Sequence, residues 1–232
     1  MIATSHITPA VRVLDAAKVC LSAYKECTWE NGGDTQALVR VFGETVVLAF
    51  RGTEFNISDI LRDLRAVPWS DPLLGFCHSG FLKGARGVWP MIREVAMHPG
   101  LPIVVTGHSL GGALAAITAG FMVVEGKQPA GLVTFGAPRP GFRRLATILD
   151  GVPTWRVVNG ADFCPSHPWP IWGYVHPGPE LRLTNDGPGS ILDRWQNHKL
   201  SDYIFELRQE GRKEHEEESE GREGPKPVHP AG

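Results

Sequence analysis

The stretch that most constrains this chain is Ile103-Val-Val-Thr-Gly-His-Ser-Leu-Gly-Gly-Ala-Leu-Ala-Ala116. An apolar, β-branched run favours a strand, and the Ala- and Leu-rich run after it favours a helix, so Ser109 falls on the turn between them. A turn that sharp closes only between small neighbours. Gly107 and Gly111 flank the serine, and Gly112, Ala113, Ala115 and Ala116 let the helix lie close against a sheet. The bare Gly-x-Ser-x-Gly pattern is weak by itself. With its strand and helix in place it reads as an elbow that presents Ser109 at a sheet edge.

A serine hydroxyl is a poor nucleophile until a histidine takes its proton and a carboxylate fixes that histidine in the useful tautomer. For a strand-to-helix elbow the order along the chain is serine, acid, histidine. Asp150, Asp162, Glu180, Asp186 and Asp193 follow Ser109 as candidate acids. Only Asp162 stands a short turn, Asn159-Gly-Ala161, beyond a well-formed strand, so it is the expected partner. His167, His176 and His198 are the candidate bases. His198, at the opening of the last helical segment, is favoured over His176, which sits in a Pro/Gly stretch, and over His167, which is too near Asp162 in sequence. His108 is expected to face away from the serine as a packed, hydrogen-bonded histidine, with His78 similar. The backbone N–H of Leu110, at the helix N-terminus, is the expected donor to an oxyanion.

Around this centre the chain alternates strand and helix. Thr8-Pro9 reads as a cap and first turn, with Val11, Leu14, Ala17, Leu21 and Tyr24 at helical spacing to about Lys25. Gln36–Phe42 and Thr45–Arg51 read as strands joined by Gly43-Glu44, a two-residue hairpin. A helix is expected over Phe81–Met97, kinked or interrupted at Pro90. Pro102–Thr106, Gly131–Phe135 and Thr154–Val158 are expected strands, and Ser109–Val124 and Arg143–Leu149 helices. Pro165–Gly189 reads as an ordered loop region with short strands near 173–175 and 180–184, and Asn197–Leu207 as the last helix. This order implies a mostly parallel sheet flanked by helices. Residues 1–207 are expected to form one domain, and 208–232 a charged, solvated or disordered tail.

Composition narrows the partners. With 23 basic and 25 acidic residues and a net charge of −2, the chain offers no field for gathering nucleic acid. Cys20, Cys27, Cys77 and Cys164 show no ligand spacing, and no cluster points to a metal, so the reading is reduced thiols, no metal and no cofactor. No stretch reaches the roughly 18 apolar residues of a membrane span. Residues 1–20 lack a basic leader followed by an apolar run, which gives the expectation of a cytoplasmic protein or one released without a leader. Oligomeric state is not legible.

Ala49-Phe-Arg-Gly-Thr53, Asp59-Ile-Leu-Arg-Asp-Leu64, His78-Ser-Gly-Phe81, Thr106–Gly112, Thr134-Phe-Gly-Ala-Pro-Arg139, Arg156–Asp162 and Asn197-His198 follow one another in this order. Together they resemble the fungal-type, class three triacylglycerol lipases, from about Thr45 to Leu207. The resemblance implies an α/β-hydrolase fold and an ester-hydrolysing triad of Ser109, Asp162 and His198. It also implies a second oxyanion donor at Thr53 and a short helical lid over residues 54–66. Within that segment Ile57, Ile60, Leu61 and Leu64 share one helical face. The implied substrate is a lipid or other ester, with transient contact at a lipid interface. Small soluble esters, phospholipids or galactolipids remain open as substrates of the same triad, as does a non-catalytic binding role for the fold.

Overall fold

The computed structural model describes residues 2–30, 35–52, 67–183 and 196–222, with side chains described to residue 213. Its first elements are strands β1 (His6–Thr8) and β2 (Val11–Arg12), helix α1 (Val13–Ser22), and strands β3 (Trp29–Glu30), β4 (Gln36–Phe42) and β5 (Thr45–Phe50). Next come β6 (Pro68–Asp71), β7 (Gly75–His78), α2 (Ser79–Ala96), β8 (Ile103–His108), α3 (Leu110–Val124) and β9 (Gly131–Phe135). The last are α4 (Arg143–Leu149), β10 (Thr154–Val158), β11 (Glu180–Arg182) and α5 (Leu200–Arg222).

Among the described residues, seven strands form the central sheet in the order β11-β10-β9-β8-β5-β4-β3. The five from β11 to β5 run parallel, and β4 and β3 are antiparallel to their neighbours. Period-two alternation explains how both faces are filled. Leu48, Phe50, Ile103, Val105 and Leu132 point into one core with α2, α3 and α4, while Val47, Ala49, Val104, Val133 and Phe135 point into another with α1 and α5. Strands covered on both faces need apolar residues at every position, and β5, β8 and β9 are buried throughout. Helix α3 is buried from Gly111 to Met122, as its unbroken apolar and small-residue surface requires.

Two expectations are corrected. Thr8-Pro9 does not cap a helix: residues 6–8 and 11–12 pair as a small antiparallel ribbon, Thr8 Oγ1 bonds Thr45 Oγ1 at 2.9 Å, and α1 starts at Val13. The last helix does not stop near Leu207 but continues to Arg222, where a solvated or disordered tail was expected from Arg208. Glu210 ties that extension to the start of the chain by accepting the N–H groups of Ile2 and Ala3, each at 3.1 Å. Residues 223–232 lie outside the described residues.

Candidate active site

Two parallel strands, β8 and β10, deliver Ser109 and Asp162 to one edge of the sheet, the C-terminal edge where α/β sheets present their chemistry, and the loop before α5 brings His198 there. Ser109 leaves β8 with φ 55 and ψ −130, a conformation L-residues rarely adopt. Its N–H is held by the carbonyl of Phe135 at the end of β9, 2.9 Å away. Gly107 makes the turn possible, because a Cβ there would lie 2.2 Å from the main chain of Gly111. Leu110 then opens α3 with its N–H at the helix N-terminus.

After β10 the turn Asn159–Asp162 closes with Asp162 N–H on the Asn159 carbonyl at 3.0 Å. Asn159 Nδ2 also donates to the carbonyl of Asn197 at 3.3 Å, bringing the loop before α5 beside that turn. His198 thereby bridges the other two. Its Nδ1 lies 2.9 and 3.0 Å from the carboxylate oxygens of Asp162, and its Nε2 lies 2.9 Å from Ser109 Oγ. With the proton on Nδ1 facing the carboxylate, Nε2 is left to accept the serine proton. Ser109, Asp162 and His198 are all buried.

The carboxylate is held on both oxygens. Tyr203, one turn into α5, donates its hydroxyl to Asp162 Oδ2 at 2.6 Å, and the N–H of Cys164 donates to Oδ1 at 2.9 Å. His108 lies behind the triad. Its Nε2 is 2.7 Å from the His198 carbonyl, so Nε2 carries the hydrogen and Nδ1 accepts from the Tyr24 hydroxyl at 2.8 Å. Burial first, and then the proximity of His198, push His108 down to about 3, so it stays neutral. The fully buried Cys164 thiol neighbours Ser109, and burial holds it protonated.

The other candidates are engaged elsewhere. His176 donates from Nε2 to the Pro165 carbonyl at 2.8 Å, and His167 from Nδ1 to the Phe163 carbonyl at 3.2 Å. His78 stacks on Phe81 with ring centroids 3.8 Å apart. Glu180 pairs with Arg156 and Arg182. Among the described residues no group of three or more His, Cys, Asp or Glu is arranged to hold a metal ion, and no described helix is long and apolar enough to cross a membrane. Cys20, Cys27, Cys77 and Cys164 are free thiols. The chain after β5 passes over the elbow, since a Cβ on Gly52 would stand 3.4 Å from Ser109 Cβ. Thr53, and the lid positions Ile57, Ile60, Leu61 and Leu64, lie outside the described residues, as do Asp186 and Asp193.

Tyr203 and Tyr24 are the polar contributors that spacing did not single out; His108 was expected as a packed, hydrogen-bonded histidine, and its partners are Tyr24 and the His198 carbonyl. Tyr203 had one available signal, a residue with a polar tip on the apolar face set by Leu200, Ile204 and Leu207.

The sequence model of the class 3 lipases matches residues 47–171, the span that holds the elbow and Asp162. The chain belongs to the class 3 lipase family. It is 32% identical over 173 residues to a lipase of Rhizomucor miehei, covering 68% of this chain and 47% of that protein. A secreted mono- and diacylglycerol lipase of Fusarium solani is 33% identical over 153 residues, covering 62% of this chain and 45% of the relative. This class 3 lipase chain thus spans less than half the length of either curated relative. The solved Rhizomucor miehei triacylglyceride lipase superposes with a TM-score of 0.59 at 32% identity, over 67% of this chain and 64% of that one. The lipase of Rhizopus microsporus var. chinensis superposes with a TM-score of 0.63 at 25% identity, over 75% and 74%. The fold is therefore the α/β-hydrolase fold of the fungal lipases.

Proposed function

We propose that this chain is a serine carboxylic-ester hydrolase that cleaves acylglycerol esters through an acyl-enzyme, with Ser109 as nucleophile, His198 as general base and Asp162 as its orienting carboxylate. One observation carries the reading: Ser109 Oγ, His198 and Asp162 stand in a continuous hydrogen-bonded line with the serine in a strained elbow. Family membership supports the choice of ester, and the names of the relatives support the choice of acylglycerol.

Ser109 Oγ attacks the ester carbonyl as its proton passes to His198 Nε2. The imidazolium that forms is stabilised through Nδ1–H by Asp162. The tetrahedral oxyanion is received by the N–H of Leu110 and, as the family resemblance implies, by Thr53. His198 then protonates the departing alcohol, and water, deprotonated by the same Nε2, releases the fatty acid. No cofactor or metal enters these steps. As the family resemblance implies, residues 54–66, with the apolar Ile57, Ile60, Leu61 and Leu64, are proposed as the segment that controls access of lipid.

The test is activity across ester chain lengths, below and above substrate aggregation, with fluorophosphonate labelling of Ser109. Single-site labelling, loss of turnover by several orders of magnitude in Ser109→Ala, and a rise in rate at aggregation are expected. Ile60→Asp or Leu61→Asp should weaken that rise more than it slows a short soluble ester. Near-normal esterase activity in Ser109→Ala would remove the proposal.

A further inference from the structure

The loop that follows Asp162 has an unusual composition for a surface segment. From Phe163 to Pro179, seventeen residues, there is no Asp, Glu, Lys or Arg, in a chain that is 21% charged overall. His176 adds no charge, since burial and the nearby Arg156 push it down to about 3. Residues 169–173 are all exposed. Within them Trp169 is 57%, Ile171 84% and Trp172 56% accessible, on and beside a single 3-10 turn at Pro170–Trp172.

This loop is fixed, not loosely draped. Arg139 donates from its main chain to the His167 carbonyl at 2.7 Å and from its guanidinium to the carbonyls of Ser166 and Pro168 at 2.5 and 2.9 Å. Val175 bridges to Gly141, and Tyr174 is buried edge-on against Phe142. At its other end the loop reaches the candidate site through ring contacts. Trp169 meets His167 at 6.1 Å between centroids, His167 meets Phe163 at 6.2 Å, and Phe163 meets His198 at 5.7 Å.

We infer that Trp169, Ile171 and Trp172 form a fixed, uncharged platform that docks the enzyme on a lipid surface, on the loop whose ring contacts lead to His198. The inference rests on the proposed hydrolysis of lipid esters and adds a contact separate from residues 54–66. Three considerations select the occupant. A seventeen-residue uncharged segment has nothing with which to recognise an acidic or basic partner. Tryptophan has the amphipathic ring that settles at a lipid–water boundary, and Ile171 beside it is a purely apolar anchor. A second copy of the chain is a poor fit, because three side chains of about 150–250 Å² each fall short of the roughly 800 Å² per partner of a standard interface. Because the anchors are already ordered by Arg139 and Tyr174, little conformational freedom is lost on docking.

The experiment uses full-length Ser109→Ala protein, so that hydrolysis does not alter the lipid, and phosphatidylcholine vesicles without net charge. Co-sedimentation is expected, little changed by raising salt to about 0.5 M, since no charge drives it. Adding Trp169→Ser and Ile171→Ser should lower the vesicle-bound fraction by about 10-fold or more at unchanged melting temperature. The same pair of changes with Ser109 intact should leave hydrolysis of a short soluble ester at the parent rate. Equal vesicle binding with and without the two changes would overturn the inference. So would binding that vanishes with salt, or a dimer in solution that the two changes dissociate. Vesicle binding that behaves as expected, alongside a parent enzyme inactive on every ester, would instead overturn the proposed reaction and leave the docking surface standing.

Discussion

The ring of His108 donates its Nε2–H to the main-chain carbonyl of His198 across 2.7 Å, so the residue before the candidate nucleophile holds the backbone of the candidate base. Tyr24, in the turn just past α1, closes the arrangement by donating to Nδ1, which fixes the His108 tautomer. His108 touches no reacting atom and acts by position. His108→Ala is expected to lower kcat by about 10- to 100-fold with KM little changed, because small displacements of a base are costly to proton transfer. His108→Gln, whose amide nitrogen can stand where Nε2 stands, should recover most of the loss. Steady-state kinetics of the two variants checks this, and equal activity in both would show that the carbonyl contact is idle.

Tyr203 makes a similar contribution to the acid. Its hydroxyl meets Asp162 Oδ2 at 2.6 Å in a buried setting, while its ring packs edge-on against Phe135 and His108. Tyr203→Phe keeps the ring and removes only the hydrogen bond. Bonds to charged groups are worth about 1.5–3 kcal/mol, so kcat should fall by roughly 10-fold or somewhat more. Unchanged turnover would mean that Cys164 N–H and His198 suffice to orient the carboxylate.

Gly136, between β9 and Pro138, gives a sharper steric test. It has φ +57, and a Cβ there would lie 2.5 Å from Asp162 Oδ2, 2.9 Å from the Tyr203 hydroxyl and 3.2 Å from His198 Nδ1. Gly136→Ala should therefore displace the acid and base together. Loss of activity of at least about 100-fold is expected, with a native circular dichroism spectrum and a modest fall in melting temperature. An active Gly136→Ala enzyme would mean that the acid and base yield without losing alignment.

The difference between what spacing revealed and what it missed has a physical basis. Strands β9 and β10 and helix α4 fall where periodicity puts them, because each is short, apolar and bounded by Gly or Pro. Ser109, Asp162 and His198 were legible because each follows or precedes a recognisable element, and geometry brings them within hydrogen-bond reach. Thr8-Pro9 misled because a hairpin turn and a helix N-cap favour the same residues; pairing of His6 with Arg12 decided it. The helix beyond Leu207 was hidden by its polarity, which by itself argues for solvation; the contact of Glu210 with Ile2 and Ala3 is not visible from local pattern. Tyr24 and His108 stand 84 residues apart, so only folding brings them together.

The thiols differ by environment in a way that can be measured. Cys20, Cys77 and Cys164 are buried, and burial pushes the first two up to about 12 and Cys164 well above the ordinary thiol range. Cys27 is exposed. Iodoacetamide on native protein at neutral pH is expected to add once, at Cys27, with esterase activity kept. Intact-mass analysis checks the count. A second adduct at Cys164, with inactivation, would show that the space beside Ser109 admits the reagent and that burial does not protect the thiol.

Acid stability follows from the two buried histidines. His108 and His176 are each pushed down from 6.5 to about 3, chiefly by burial, with His198 adding to the first and Arg156 to the second. In the unfolded chain both return to ordinary values near 6.5. Between about 3 and 6.5 the unfolded state therefore binds more protons than the folded state, so stability rises with pH across that window. The contribution is complete above about pH 6.5 and is lost progressively as pH falls toward 3. At about pH 5, roughly 1.5 units into the window, each histidine withdraws up to about 2 kcal/mol. Denaturant unfolding at about pH 5 and about pH 7.5 should show that fall. His176→Gln, remote from the acid–base pair, should remove about half of the pH-dependent part while leaving activity at neutral pH near the parent level. If the parent were equally stable at both pH values, the histidines would have to be charged in the folded state, and the neutral His108 required for its bonds to Tyr24 and His198 would be wrong.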